Sequence, residues 1–272
     1  MTPVGYPLSG KVTTSNGSCH RPVTADPRTE NHILVMFTGL VERTATVKKF
    51  AELNGNYRLT IQVGDGRELR PWRAAKIGDS VAVDGACLTL VKSTEAAAGT
   101  QLAFDVVPET LSKTSFGRLQ AGACVNLERS MSAGDLFGGH YVTGHIDGVG
   151  KVHERRPEGG QILFEISAPP KLITQVLSKG SIAVDGISLT VIDVDRSEGW
   201  FSFAAIPHTM ELTSLRERQR GDPVNLETDA FGKWAVHTLS DIVGAGKREE
   251  QLQRLLQAAG WTSQKPSPPG SA

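Results

Sequence analysis

The stretch Ser80-Val-Ala-Val-Asp-Gly-Ala-Cys-Leu-Thr-Leu90 returns, little changed, as Ser181-Ile-Ala-Val-Asp-Gly-Ile-Ser-Leu-Thr-Val191. In both, apolar residues alternate, an Asp-Gly pair offers a tight turn, and the alternation resumes, which reads as a β-hairpin. Three further blocks recur around it. Met36-Phe-Thr-Gly-Leu-Val-Glu42 is echoed by Tyr141-Val-Thr-Gly-His-Ile-Asp147, Val107-Pro-Glu-Thr-Leu111 by Ile206-Pro-His-Thr-Met210, and Val125-Asn-Leu-Glu128 by Val224-Asn-Leu-Glu227. Blocks in unchanged order about 100 residues apart mark a duplicated domain, not a short solenoid period.

Working outward, each copy reads mostly as strand. Leu102, Phe104 and Val106 alternate, as do Phe201 and Phe203, and only the stretches after Thr110 and Thr209 look briefly helical. Several short strands separated by turn signals suggest a small closed barrel, which leaves no exposed edge; an open sandwich of the same strands is the alternative. After the second copy, Trp234, Leu239, Ile242, Val243, Leu252, Leu255 and Leu256 recur at roughly helical spacing, interrupted by Gly244 and Gly246. Such a helix either folds back on its own barrel or packs on the same helix of another subunit. The expected organisation is an extension over 1–35, an N-terminal barrel over 36–138, a C-terminal barrel over 139–230, a helical segment over 231–260 and a disordered tail over 261–272.

Bulk properties narrow the function. The 272 residues carry 29 Lys plus Arg and 29 Asp plus Glu, so no net charge draws the chain to nucleic acid or an anionic membrane. No apolar run approaches the ~18 residues of a spanning helix. Cys19, Cys87 and Cys124 form neither a disulfide framework nor a C-x-x-C metal site, which points to a reducing, cytoplasmic compartment. The segment before Ala25 lacks acids and is rich in hydroxyls. It is either a disordered extension or a transit peptide for a plastid or other organelle.

With those blocks and with Asn126-Leu-Glu-Arg129, Gly138-Gly-His-Tyr-Val-Thr-Gly-His-Ile-Asp147 and Lys179-Gly180, the chain resembles the riboflavin synthase family from Met36 to about Asp229. The resemblance implies an all-β fold of two tandem six-stranded closed barrels with a C-terminal α-helical segment, and a homotrimer. It implies that two molecules of 6,7-dimethyl-8-ribityllumazine dismutate to riboflavin and a ribitylaminopyrimidinedione, without cofactor or metal. Two lumazines would share each active site, between the N-terminal barrel of one subunit and the C-terminal barrel of its neighbour. The same resemblance implies lumazine-binding positions at Gly39, Leu40, Val41, Cys87, Leu88, Thr89, Asp105, Val106, Val107, Pro108, Glu109 and Thr110. In the second copy they fall at Gly144, His145, Ile146, Lys179, Ser188, Leu189, Thr190, Ala204, Ala205, Ile206, Pro207, His208 and Thr209. The alternative function is a non-catalytic lumazine or flavin carrier of the same fold.

Joining two identical heterocycles needs two similar pockets, and holding both rings aligned removes much of the entropic barrier to their encounter. The remaining steps, loss of an acidic methyl proton and addition to an electron-poor ring, call for a base, polar partners and a possible nucleophile. The two copies differ where that matters: Leu40 becomes His145, Cys87 becomes Ser188, Glu109 becomes His208, and Glu42 becomes Asp147. Candidate catalytic residues are therefore His145, Ser188, Thr190 and Cys87, with Cys87 either pocket wall or nucleophile. Ser188 and Thr190, two apart on a strand, share a face, and Leu189 points to the core. Thr110 and Thr209 could cap their short helices, and Asp84 and Asp185 are read mainly as turn residues. The richer polar set of the second copy leads to the expectation that the C-terminal barrel holds the molecule that is deprotonated. Replacing His145 with Gln should lower turnover far more than lumazine affinity; equal losses in both would remove this role.

Overall fold

The alternating stretches form strands that bury one face each. In the strand Ala86–Ala96, Ala86, Leu88 and Leu90 are buried while Thr89 is exposed. Its counterpart Ile187–Asp195 buries Ile187, Leu189 and Val191 and exposes Thr190. The computed structural model describes residues 36–235 and residue 238, apart from 54, 65–69, 97–98 and 133, and all of these belong to a single compact unit.

Among the described residues, twelve strands make two barrels. β1 (Arg43–Leu53), β2 (Asn56–Val63), β3 (Ser80–Val83), β4 (Ala86–Ala96), β5 (Gly99–Val106) and β6 (Cys124–Arg129) close in the order β1-β2-β5-β4-β3-β6. β7 (Gly148–Glu158), β8 (Gln161–Ser167), β9 (Ser181–Val184), β10 (Ile187–Asp195), β11 (Trp200–Ala205) and β12 (Pro223–Thr228) close in the same order, β7-β8-β11-β10-β9-β12. Every neighbouring pair is antiparallel. Closure, not a sandwich, is the observed solution, and it pairs every edge. Short helices stop the barrel ends: α1 (Arg70–Arg73), α2 (Pro108–Lys113), α3 (Pro170–Ile173) and α4 (Pro207–Leu212). α1 and α3 have no counterpart among the helices expected from the sequence.

Each barrel has its own core. Leu59, Leu90, Phe104, Phe116 and Leu127 are among those filling the first; Phe164, Phe201, Phe203, Leu215 and Leu226 are among those filling the second. Phe37 belongs to neither. With Val142, Ala82 and Ala183 it forms a third, smaller buried cluster, on the seam between the barrels.

That seam relates the two copies by an approximate two-fold. Phe37 and Val142, equivalent residues, form an antiparallel bridge, Phe37 N donating to Val142 O at 2.9 Å and Val142 N to Phe37 O at 3.2 Å. The Asn126 amide donates to Asp185 O at 2.9 Å and accepts from Ser214 N at 2.7 Å. Asn225 mirrors it, donating to Asp84 O at 2.9 Å and accepting from Ser115 N at 2.7 Å. The Asp-Gly turns meet back to back. A Cβ on Gly85 would stand 2.7 Å from Gly186 N, and one on Gly186 equally close to Gly85 N, so both positions require glycine.

Asp84 and Asp185 do more than shape their turns. Both are fully buried with left-handed backbones (φ 42° and 46°), and each caps the opposing strand through the main-chain N–H of Asn126 or Asn225. Arg218 lies between them, binding Asp185 Oδ2 at 2.8 Å and standing 3.5 Å from Asp84 Oδ2. One guanidinium thus serves two carboxylates, since the first copy has Leu119 at the equivalent position. Burial, together with the nearby Asp185 charge, pushes the Asp84 carboxyl up to about 8. The C-terminal helical segment is described over 230–235 and at 238; its other residues, the 1–35 extension and the 261–272 tail lie outside the described residues.

A raised folded-state pKa stabilises below the unfolded value and loses that contribution as pH climbs through the folded one. Asp84 should therefore make the protein progressively less stable between an ordinary 3.8 and about 8. The slope from this group is at most about 1.4 kcal/mol per pH unit. Urea titrations across this range should show Asp84→Asn gaining on the unsubstituted protein as pH rises; a constant difference would remove the assignment.

Candidate functional site

The blocks at 36–42 and 141–147 precede the first strand of their own copies and cross over at the Phe37–Val142 bridge. Each then docks on the other barrel. Gly144 O accepts from Cys87 N at 2.9 Å, and Gly39 O accepts from Ser188 N at 2.8 Å, so each segment is laid along the first residues of β4 or β10. Both glycines are left-handed (φ 75° and 79°), and a Cβ would fall 2.7 Å from Ser188 Cβ or 2.6 Å from Cys87 Cβ.

Buried glutamates fix the two segments. Glu128 accepts from Thr38 N (2.6 Å), Thr38 Oγ1 (2.8 Å) and Gly39 N (3.0 Å). Glu227 repeats the pattern with Thr143 N (2.7 Å), Thr143 Oγ1 (2.7 Å) and Gly144 N (3.0 Å). Burial raises both carboxyls, Glu128 to about 7. The three donors on each favour the charged form and oppose that rise.

The crossing builds a cleft of about 280 Å³ lined by Ala86, Cys87, Glu109, Thr110, Lys113, Thr114, Gly144, His145 and Ile146. First-copy residues supply the floor and α2; second-copy residues supply one wall. Cys87 is half-buried, and burial raises its thiol above the usual range, with a hydrogen bond from Ser80 opposing. A thiol raised in this way favours its protonated form near neutrality, which suits a pocket wall.

The symmetry-related place gathers Gly39, Leu40 and Ser188. Here the copies differ in kind. His140 is buried, donates its main-chain N–H to Thr38 O at 3.1 Å, and places Nδ1 2.7 Å from Ser188 Oγ. Burial lowers the His140 pKa, against the pull of Asp229, so a neutral imidazole faces the Ser188 hydroxyl. The position aligned with His140 in the first copy is Val35.

The expected set is therefore divided. His145, grouped by sequence with Ser188 and Thr190, stands with Cys87 on the N-terminal barrel's pocket, because its block crosses the seam. Ser188 stands with His140 and the Gly39–Leu40 segment. Ser188 and Thr190 do share the outward face of β10, and Leu88 and Leu189 are buried in the cores. Thr110 and Thr209 are not caps: Val107 and Ile206 hold the N-cap positions, and the two threonine carbonyls accept from Thr114 Oγ1 and Thr213 Oγ1. Val41 packs on the second core and Ile146 on the first, a further mark of the exchange. Val106 and Ala205 are buried, and Asp105 is ion-paired to Arg58. Val107, Pro108, Ile206, Pro207 and His208 are exposed beside α2 and α4, and Ala204 is half-buried. Lys179 lies in the exposed left-handed turn before β9 (φ 64°) and does not line the Cys87 cleft. Sequence reasoning passed over His140, although it stands within the Gly138–Asp147 block, because no residue of the first copy echoes it.

The lumazine binding domain matches twice, over residues 38–130 and 143–229. The riboflavin synthase of Actinobacillus pleuropneumoniae is 39% identical over 199 residues, covering 73% of this chain and 87% of that protein. That of Mycobacterium tuberculosis is 40% identical over 200 residues, covering 73% and 96%. Among solved structures, LumP complexed with 6,7-dimethyl-8-(1'-D-ribityl) lumazine superposes with a TM-score of 0.60 at 25% identity, covering 71% of this chain and 99% of that one.

The raised Cys87 thiol sets a reactivity. With Cys19→Ser and Cys124→Ser in place, Cys87 should react with Ellman's reagent at pH 7 at least about tenfold more slowly than a free thiol, and speed up as pH rises past 9. Faster labelling than free cysteine would reinstate a nucleophile.

Proposed function

This chain belongs to the riboflavin synthase family, built on paired lumazine-binding domains, and from that premise we propose that it dismutates two molecules of 6,7-dimethyl-8-ribityllumazine. One lumazine yields a four-carbon unit, its two ring carbons with their methyl groups, to the other. The acceptor becomes riboflavin and the donor leaves as 5-amino-6-ribitylaminopyrimidinedione. The two molecules together supply every atom, so the transfer needs no added oxidant or reductant.

The observation that carries this reading is a pair of symmetry-related sites alike in backbone and unlike in chemistry. Both have a crossing segment pinned by a buried glutamate against the start of a strand. One presents Cys87 and His145; the other presents Ser188 hydrogen-bonded to His140. A carrier needs one good pocket, whereas a transfer between two copies of one molecule needs two that assign different roles. A lumazine methyl group is acidic because its anion spreads into the electron-poor ring. In this reading Ser188 Oγ takes that proton as its own hydroxyl proton passes to the neutral His140 imidazole, which ends as the imidazolium, and His145 contributes from the first pocket.

The working site then combines the first pocket of one subunit with the second of its neighbour in a homotrimer. Phe231 and Trp234, 73% and 70% exposed, form with Tyr141 an apolar surface suited to that self-association.

Incubation with the lumazine alone should produce riboflavin at half the rate at which lumazine disappears. Binding without conversion would instead favour a carrier resembling LumP. His140→Asn should lower kcat by about a hundredfold, with lumazine affinity changed by less than about threefold; parallel losses would make His140 a binding residue.

A further inference from the structure

The two barrels should close their ends alike, and they do not. In the first, Phe50 on β1 stacks on Tyr57 on β2, centroids 5.4 Å apart, and both pack with Leu111 of α2 against the core. The strand registers are equivalent in the second barrel: Phe50 pairs with Leu59 as Arg155 pairs with Phe164, and Tyr57 faces Glu52 as Ile162 faces Pro157. There, however, the stacked pair is replaced by Arg155 and Ile162. In place of packed rings the second barrel has a groove of about 600 Å³ floored by Ile162, Ala205, Pro207 and Met210.

Arg155 stands in this groove without compensation. Its Nε is buried and has no hydrogen-bond partner, and among the described residues no carboxylate pairs with it. Its guanidinium lies 5.9 Å from the Phe164 ring centroid. The adjacent Arg156 shows the contrast, holding Glu154, Glu158 and Glu165, which leaves the one carboxylate at the groove's rim, Glu158, already engaged. A partly buried guanidinium whose Nε lacks a hydrogen bond and which has no carboxylate partner among the described residues is costly. A guanidinium beside an apolar floor is suited to an anion such as a carboxylate or phosphate, which its fork of donors can bind in a bidentate way.

The groove shares no residue with the Cys87 cleft or with the Ser188–His140 pair, although Ala205 and Pro207 of its floor stand among the lumazine positions that the family resemblance implies. The first-barrel cleft uses Glu109, Thr110 and Lys113 of α2; the groove uses Pro207 and Met210 of α4, which align with Pro108 and Leu111 on the other side of that short helix. We propose that the second barrel carries an additional ligand site, at Arg155, for a small organic anion with an apolar body. The site does not depend on the dismutase reading.

The test is fluorine NMR on the full-length protein with 4-fluorophenyl phosphate and 4-fluorobenzoate, and with neutral 4-fluorobenzyl alcohol as control. Saturable broadening of at least one anion and none of the alcohol is expected, and the tighter anion identifies the head group. Arg155→Met should weaken binding at least tenfold. Arg155→Phe with Ile162→Tyr, which transplants the first barrel's own stack, should abolish it while leaving lumazine binding unchanged. Failure of both anions to bind, equal binding of the alcohol, equal affinity in Arg155→Met, or displacement of the anion by 6,7-dimethyl-8-ribityllumazine would each overturn the proposal.

Discussion

The reciprocal amide bonds of Asn126 and Asn225 are the constraint from which the rest of the architecture follows. Each side chain leaves its own barrel, donates to an Asp carbonyl in the other, and accepts a main-chain N–H there. Asn126, Asn225, Asp84, Asp185 and Ser214 are buried, where an unpaired donor or acceptor costs about 1–3 kcal/mol. Four hydrogen bonds are thereby made only if the barrels meet in one orientation. That orientation brings Gly85 and Gly186 into contact, sets Phe37 beside Val142, and delivers each leading segment to the opposite strand. A hydrophobic seam alone would tolerate sliding; the amide lock does not.

On this symmetrical frame, function rests on departures from symmetry. Arg218 answers two aspartates, His140 has only Val35 as its counterpart, and the Phe50–Tyr57 stack gives way to Arg155 and Ile162. Leu119, Val35 and Phe50 of the first copy thus stand opposite Arg218, His140 and Arg155, each of which can carry charge or exchange a proton. The duplicated scaffold holds the geometry while single substitutions diversify the chemistry it presents.

Much of this was legible in the sequence. The Asp-Gly hairpins and the duplication follow from local alternation, turn chemistry and repetition, which the chain displays openly, whereas alternation left a closed barrel and an open sandwich both open and the tandem barrels came with the family resemblance. The equivalence of Cys87 and Ser188 and the core-facing Leu189 follow from the same period. The exchange of leading segments was hidden, because adjacency along the chain does not say which barrel a segment joins, and so His145 was assigned to the wrong pocket. Thr110 and Thr209 looked like caps because threonine often is one, but Pro108 and Pro207 start the helices two residues earlier. Asp84 and Asp185 looked like turn residues because their second task depends on Arg218, which is remote in sequence.

The crossed segments also bear on how the chain is made. Asn225 reaches back 141 residues to Asp84, and at roughly 5–20 residues per second on a ribosome that interval lasts roughly 7–30 s. Through that time the first barrel can close, yet Phe37 and the glycine-led segment behind it have no surface to settle on until β10 has emerged. The nascent chain therefore exposes an apolar residue beside an unfinished pocket and is open to pairing with a neighbouring nascent copy. Completion of the second barrel ends that exposure, which makes the last strands synthesised the step that commits the whole molecule to its own seam.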